Sequence, residues 1–255
     1  RRQRQMCIRD SSLATLMLAG IQEVLIVTTP ADVPHCRNLL GDGSDIGMKL
    51  SYAAQTRPDG IPSAMLLSSE FLGDDALALI LGDNFFCGPG LKRQLRAAAA
   101  RSDATIFAHQ VDDPSAYGVI TFDHGRPSSI DEKPSHPRSN YAVTGLYFYG
   151  NDALQHAAQL SPSARGETEI TDLNRFYLRN GALRVEVMEQ GTSWLDMGTP
   201  ESLLRTATLV HAADQSGRTK IGCVEEIAWR QGWICLLYTS PSPRDGLLSR
   251  IPYYD

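Results

Sequence analysis

The feature that most constrains this chain is a regular alternation over residues 13–111, where short continuous apolar runs are separated by stretches of helical spacing. Residues 13–18 read as the last turns of a helix stopped by Gly20, and 23–29 (EVLIVTT) as a buried strand. Helix 31–40 ends at Gly41, and strand 49–55, helix 61–71, strand 76–81 (ALALIL), helix 91–101 and strand 104–111 follow. Strands apolar throughout, separated by helices of this length, need cover on both faces, which predicts an α/β fold around a mostly parallel sheet. From Tyr117 the rhythm changes. GVITFD, SSIDEKP and NYAVTGLYFYG are strand-like runs joined by Gly, Pro, Asp and Ser turns, so a β-rich portion is inserted here. Helices return at 152–160, with Asn151 as the expected cap, and at 169–179, ending at Gly181. A strand LRVEVME and a last helix come next, with Thr199 suited to cap it, Pro200 to its first turn and Glu201 to its dipole.

The 255 residues suffice for a sizeable core without disulfides or a structural metal. A net charge of -5 offers no general attraction to nucleic acid or to an anionic membrane, so a phosphate-bearing ligand needs local cationic groups. No run of 18 apolar residues occurs and the start does not resemble a signal peptide, so a cytoplasmic location is expected. The five cysteines form no CxxC pair and the six histidines are scattered, which argues against a zinc site or a disulfide framework. The two ends differ from the rest. RRQRQMCIRD abuts the first patterned segment abruptly, and CLLYTSPSPRDGLLSRIPYYD follows a helical pattern that gives way at Cys235. Codons for Met6 to Asp10 (ATG TGT ATA AGA GAC), read on the complementary strand in a shifted frame, give Leu-Leu-Tyr-Thr, the residues of 236–239, and the first base of an AGY codon for Ser11 completes a Cys codon for 235. Both stretches therefore read as translated transposon adapters, and residues 1–11 and 235–255 are expected to lie outside a folded unit of residues 12–234.

Chemistry is expected at the carboxyl ends of the strands, where ligands gather in open α/β sheets. The run 76–81 leads directly into Gly82-Asp83-Asn84, and Trp194-Leu195-Asp196 places a second aspartate just before a capped helix. Two carboxylates from distant parts of a chain suit a phosphate-bound Mg²⁺, which keeps several waters and takes few protein ligands; a strand-end aspartate equally serves as a turn former or cap. At the end of a strand-like run, Lys133 suits a phosphate and Glu132 suits sugar hydroxyls, unless both are simply exposed charges before Pro134. Arg165 precedes a helix whose free N–H groups attract anions, or is merely solvated. In QTRPDG, Gln55 has the donor and acceptor needed for the amide edge of a pyrimidine and Gly60 permits close backbone approach, while a plain turn explains the same residues.

In order, TLMLAGI, LLGDGS, QTRPDG, LILGDN, AYGVITFD, EKP, SNYAVTGLYFY, SARGETEITDLNR and WLDMGT closely resemble the glucose-1-phosphate thymidylyltransferase branch of the sugar nucleotidyltransferases, over residues 13–233. The resemblance implies a Rossmann-like mixed sheet and Mg²⁺-dependent transfer of a deoxythymidylyl group from dTTP to glucose 1-phosphate, with pyrophosphate released. It implies Asp83 and Asp196 as metal ligands and Gln55 and Gly60 on the thymine. Tyr117 and Gly118 would line the sugar pocket, with Val143 and Tyr147 walling it. Glu132 would take sugar hydroxyls, Lys133 the sugar phosphate and Arg165 a phosphate. A homo-oligomer is the assembly expected of the intact enzyme. The sequence departs from the family at Cys87, where an aromatic is usual nearby, at Met197, usually Thr, and at Pro62-Ser63, usually Ala-Gln. It also contains no GGxGTRLxPxT loop and KQ pair, the family's triphosphate cradle, so the 255-residue chain is expected to turn over negligibly. A transferase acting on another base or sugar is the alternative within this class. A noncatalytic sugar-nucleotide-binding module is the alternative outside it, against which stands the presence of both aspartates.

Overall fold

A computed structural model describes residues 8–163, 165–215 and 221–235. Helix α1 (Ile8–Ala19) opens the described chain and ends at Gly20, whose φ of 95° is left-handed. Ser11, within the segment set apart as 1–11, is 6% exposed. Residues 1–7 and 236–255 lie outside the described residues. The next elements are β1 (Glu23–Thr28), α2 (Val33–Leu40) and β2 (Lys49–Ala54), the two strands pairing in parallel. The helix expected over 61–71 is two, α3 (Ile61–Leu66) and α4 (Ser69–Leu72), because Ser68 interrupts it by turning its hydroxyl back onto the Met65 carbonyl (2.6 Å). Then come β3 (Leu77–Ile80), β4 (Asn84–Cys87), α5 (Leu91–Ala99) and β5 (Ala104–Gln110).

The β-rich portion is β6 (Gly118–Asp123), β7 (Arg126–Glu132) and β8 (Tyr141–Tyr149). His124 and Gly125, both at positive φ (46° and 78°), join β6 to β7 in the tight reversal that antiparallel twist favours. Helix α6 (Ala153–Ala157) has Asp152, not Asn151, at its cap position; the Asp152 carboxylate takes the Tyr177 hydroxyl (2.9 Å) rather than capping. Helix α7 (Ile170–Arg179), β9 (Leu183–Val187), β10 (Ser193–Asp196), α8 (Pro200–Gln215) and α9 (Val224–Arg230) complete the order. Thr199 does cap α8, its hydroxyl accepting the Ser202 N–H at 3.2 Å.

The sheet is mixed, with helices packed against it, but the balance of strand sense differs from the expected one. Among the described strands β1–β2 and β5–β9 are parallel, whereas β3–β8, β5–β8, β6–β7, β6–β8 and β4–β10 are antiparallel. The reason is β8. Nine residues long and largely buried, it serves as the common partner of three earlier strands, all met in the reverse direction. Its alternate side chains divide the core. Val143, Tyr147 and Tyr149 pack with Ile106, Leu173 and Tyr177, while Ala142, Leu146 and Phe148 pack with Leu95, Phe107 and Trp194 on the opposite face. Along one edge β8 pairs with β5; along the other it pairs with β6 at Tyr141 and Ala142 and with β3 from Leu146 onward. At 143–145 that second edge changes partner. The sheet forks there, and a fork between diverging strands is where α/β sheets admit ligands.

Candidate active site

The loop between β3 and β4 fills the fork. Leu81 N–H donates to the Gly145 carbonyl (2.9 Å), and the Asn84 Oδ1 accepts both the Gly145 N–H (3.1 Å) and the Trp194 Nε1–H (2.6 Å). Asn84 Nδ2 in turn donates to Asp83 Oδ1 at 2.8 Å. Only 3% exposed, Asn84 thus fastens β8, β10 and the Asp83 carboxylate to one point. The sequence motif LGDN drew attention to Asp83, while Asn84 went unread because its partners lie 61 and 110 residues away. The Ser12 hydroxyl of α1 lies 3.1–3.2 Å from the carbonyls of Leu81, Gly82 and Asn84, pinning the loop from behind.

Strand β10 runs antiparallel to β4 with Asp196 opposite Asn84, and this register brings the second aspartate beside the first. Asp196 Oδ1 accepts the Gly198 N–H (2.9 Å), and a methyl group placed on Gly198 would stand 3.1 Å from Asp196 Oδ1 and 3.8 Å from Asp83 Oδ2. Both carboxylates therefore border one small space next to a residue without a side chain. Among the described residues neither is in an ion pair. These are hard oxygen donors open to solvent, a set that suits Mg²⁺ completed by phosphate and water; no cluster of three or more acidic, His or Cys ligands occurs among the described residues. Tyr117 stands over this space with its ring edge-on to Trp194 (4.9 Å between centroids). Burial pushes its phenol pKa up, and the charges of Asp196, Asp113 and Asp83 add to the effect.

On the other side of the fork, Gly118 faces Glu132 across the β6–β7 ladder. A methyl group on Gly118 would lie 3.3 Å from Thr171 Oγ1, 3.6 Å from Glu132 Oε2 and 3.6 Å from Val143 Cβ, so these four positions form one wall. The Thr171 hydroxyl donates to Glu132 Oε2. Tyr147, two residues beyond Gly145 on the same face of β8, is buried, and its phenol pKa is raised chiefly by that burial and further by the Glu132 charge. Lys133 follows at φ 40°, a left-handed conformation unusual for a residue before proline, held by its N–H donating to the Tyr117 carbonyl at 3.0 Å. Its ammonium is exposed. Arg165 lies across from it, donating to Glu169 Oε1 (2.8 Å) and, more distantly, to Glu132 Oε1 (3.4 Å). Burial alone would raise the Glu169 pKa, but hydrogen bonds from Ser163 and Arg165, with the Lys133 charge, hold it below the ordinary value.

Gln55 and Gly60 lie in the loop after β2. Gln55 Nε2 donates to the Gly60 carbonyl (3.3 Å), and among the described residues its Oε1 and other amide hydrogen are left free for a planar partner. Gly60 has φ 100° and lies beside Thr168, with which it forms an isolated parallel bridge; an added methyl would stand 2.1 Å from the Thr168 carbonyl oxygen. The backbone that Gly60 approaches is therefore the chain's own. This contact ties the QTRPDG loop to the segment carrying Arg165, Glu169 and Thr171. Gly60→Ala is expected to lower stability by about 2–4 kcal/mol through strain and displacement of this segment, with a correspondingly lower denaturant midpoint. A midpoint equal to that of the unmodified chain would show that the two segments yield without cost.

A family model described as nucleotidyl transferase matches residues 3–213. The chain belongs to the nucleotidyl transferase family. A glucose-1-phosphate thymidylyltransferase of Neisseria meningitidis is 50% identical over 224 residues, spanning 87% of this chain and 78% of that protein. One of Mycolicibacterium smegmatis is 52% identical over 223 residues, spanning 87% and 77%. Among solved structures, a Bacillus anthracis chain assigned as a glucose-1-phosphate thymidylyltransferase, in complex with a sucrose, superposes with a TM-score of 0.73 at 34% identity, covering 79% of this chain and 81% of that one. The enzyme class and the mixed α/β architecture read from the sequence are those of these relatives. No helix among the described residues is long and apolar enough to cross a membrane.

Proposed function

We propose that this nucleotidyltransferase moves a deoxythymidylyl group from dTTP to glucose 1-phosphate, giving dTDP-glucose and pyrophosphate. The observation that carries the reading is the fork at residues 143–145 of β8. A carboxylate pair borders one side, and the other holds Glu132, Lys133 and Arg165, in a chain about half identical to thymidylyltransferases. In the reaction a phosphate oxygen of glucose 1-phosphate forms a bond to the α-phosphorus of dTTP. The bond from that phosphorus to the α,β-bridging oxygen breaks, and the electron pair leaves with pyrophosphate. A phosphate monoester is already an anionic nucleophile, so the protein has to supply alignment and positive charge more than a general base. Lys133 and Arg165 neutralise phosphate charge, Arg165 by exchanging part of its contact with Glu132 and Glu169 for the ligand. Glu132 accepts sugar hydroxyls, Gly118 leaves room for the ring, and Val143, Tyr147 and Tyr117 wall it. Asp83 and Asp196 would hold Mg²⁺, which when bound offsets triphosphate charge and makes the α-phosphorus more electrophilic. Both substrates are polyanions that do not cross membranes unaided, which favours a cytoplasmic site of action, and a homo-oligomer is the proposed assembly.

Base choice tests the reading. Gln55 pairs through one donor and one acceptor with the imide edge shared by thymine and uracil, so it rejects cytosine and purines but not UTP. A pocket for the thymine methyl supplies only about 1–3 kcal/mol, so a preference for dTTP over UTP of tens to hundreds of fold is expected. The measurement is competition among dTTP, UTP and CTP in a chimera bearing a GGxGTRLxPxT segment of the family, with and without Gln55→Ala. Efficient use of CTP, or unchanged base selectivity in the variant, removes Gln55 from recognition; a preference for UTP makes the chain a uridylyltransferase.

A further inference from the structure

Helix α7 presents polar groups to the core at three-residue intervals. Thr171, Asn174 and Tyr177 are all buried, and spacing of this kind lines them along one face. Thr171 donates to Glu132, as described above. Asn174, with no exposure at all, accepts the Tyr149 hydroxyl on its Oδ1 (2.7 Å), while its Nδ2 has no partner among the described residues. Tyr149 is sandwiched, its ring stacking on Tyr177 (5.7 Å between centroids) and on Tyr147 (6.1 Å, planes 6° apart). Tyr147 ends the series. The residue is 4% exposed, its hydroxyl makes no hydrogen bond among the described residues, and its phenol feels the Glu132 charge.

A buried amide with an idle N–H₂ is a poor way to stabilise a core, since an apolar side chain of similar size would avoid the desolvation cost. What Asn174 does achieve is a fixed Tyr149, and through the parallel stack a fixed Tyr147. We propose that Asn174 is a positioning residue for the sugar subsite, holding the Tyr147 phenol through Tyr149 so that its unpaired hydroxyl meets a sugar hydroxyl beside Glu132. The inference rests on the thymidylyltransferase reading for the nature of the ligand, and on the side-chain stack alone for the relay.

The test uses the 255-residue chain with dTDP-glucose and dTDP as probes, measured by calorimetry, and with tyrosines replaced by 3-fluorotyrosine for ¹⁹F resonances. Asn174→Leu is expected to weaken dTDP-glucose roughly five- to tenfold, the loss of about one hydrogen bond, and to leave dTDP affinity unchanged. Asn174→Asp, which keeps the acceptor, restores most of the affinity. Tyr147→Phe loses a similar factor, and adding Asn174→Leu to it costs nothing more, because both act through one hydroxyl. The Tyr147 resonance, assigned with Tyr147→Phe, moves in Asn174→Leu. Additive losses in the double variant overturn the proposal, as does a moved resonance with unchanged dTDP-glucose affinity, which leaves Asn174 purely structural. An unmoved resonance overturns the relay itself. If the unmodified chain binds dTDP-glucose no more tightly than dTDP while the resonance still moves, the sugar assignment of the subsite fails and the relay stands without its ligand.

Discussion

Replacing Asp83 or Asp196 by asparagine is expected to lower turnover at least about a hundredfold, and Mg²⁺ affinity with it. Asparagine keeps the shape and one oxygen, so the Asn84 Nδ2 and Gly198 N–H groups still find an acceptor and the local fold should persist. What disappears is a formal charge beside the space that both carboxylates border. Two carboxylates are few for a divalent ion, and removing one leaves phosphate oxygens and water to do most of the binding. The readouts are pyrophosphate release by the chimera and the affinity of Mn²⁺, as a paramagnetic stand-in, for the nucleotide complex. Ordinary turnover in the Asp196→Asn chimera would reduce that residue to the turn former that caps Gly198.

The second large effect is on stability. Asn84→Leu should destabilise the chain by about 3–5 kcal/mol, because it strands two buried donors, the Gly145 N–H and the Trp194 indole, each costing about 1–3 kcal/mol when unpaired. In a chain of this size that is a drop of roughly 10 °C in the melting midpoint. Asn84→Asp supplies an acceptor for both donors but cannot donate to Asp83 and adds a like charge beside it. It is therefore expected to fall between the two in stability and to impair Mg²⁺ binding. Calorimetric or denaturant unfolding of the three proteins gives the comparison. A Leu variant as stable as the original would mean that β8 and β10 are held at this point by packing alone.

Periodicity made most elements readable. Apolar runs such as 104–111 and 140–150 became β5 and β8, and helix stops at Gly20, Gly41 and Gly181 stand where the sequence put them. The candidate site was readable where a chemical group sits at the end of a strong element: Asp83 just past β3, Glu132 and Lys133 where β7 ends, Arg165 ahead of α7. The short strands β4 and β10 were not readable. Four residues are too few to show a period, and they are strands only because they pair with each other across 106 residues of chain, between Cys87 and Ser193.

What the sequence by itself determined, then, is which segments are apolar enough to be buried and which charged groups end them, since both follow from neighbours a few residues apart. The tertiary structure alone decided the sense of the strands around β8, the change of partner that opens the sheet at 143–145, and the identity of Asn84 as the point joining three segments. It also gave the reason for a glycine at 60, which is the Thr168 backbone more than a hundred residues on. Strand pairing and buried hydrogen bonds join residues far apart in the chain, and their energies are set by which surfaces meet, a quantity no local window of sequence contains.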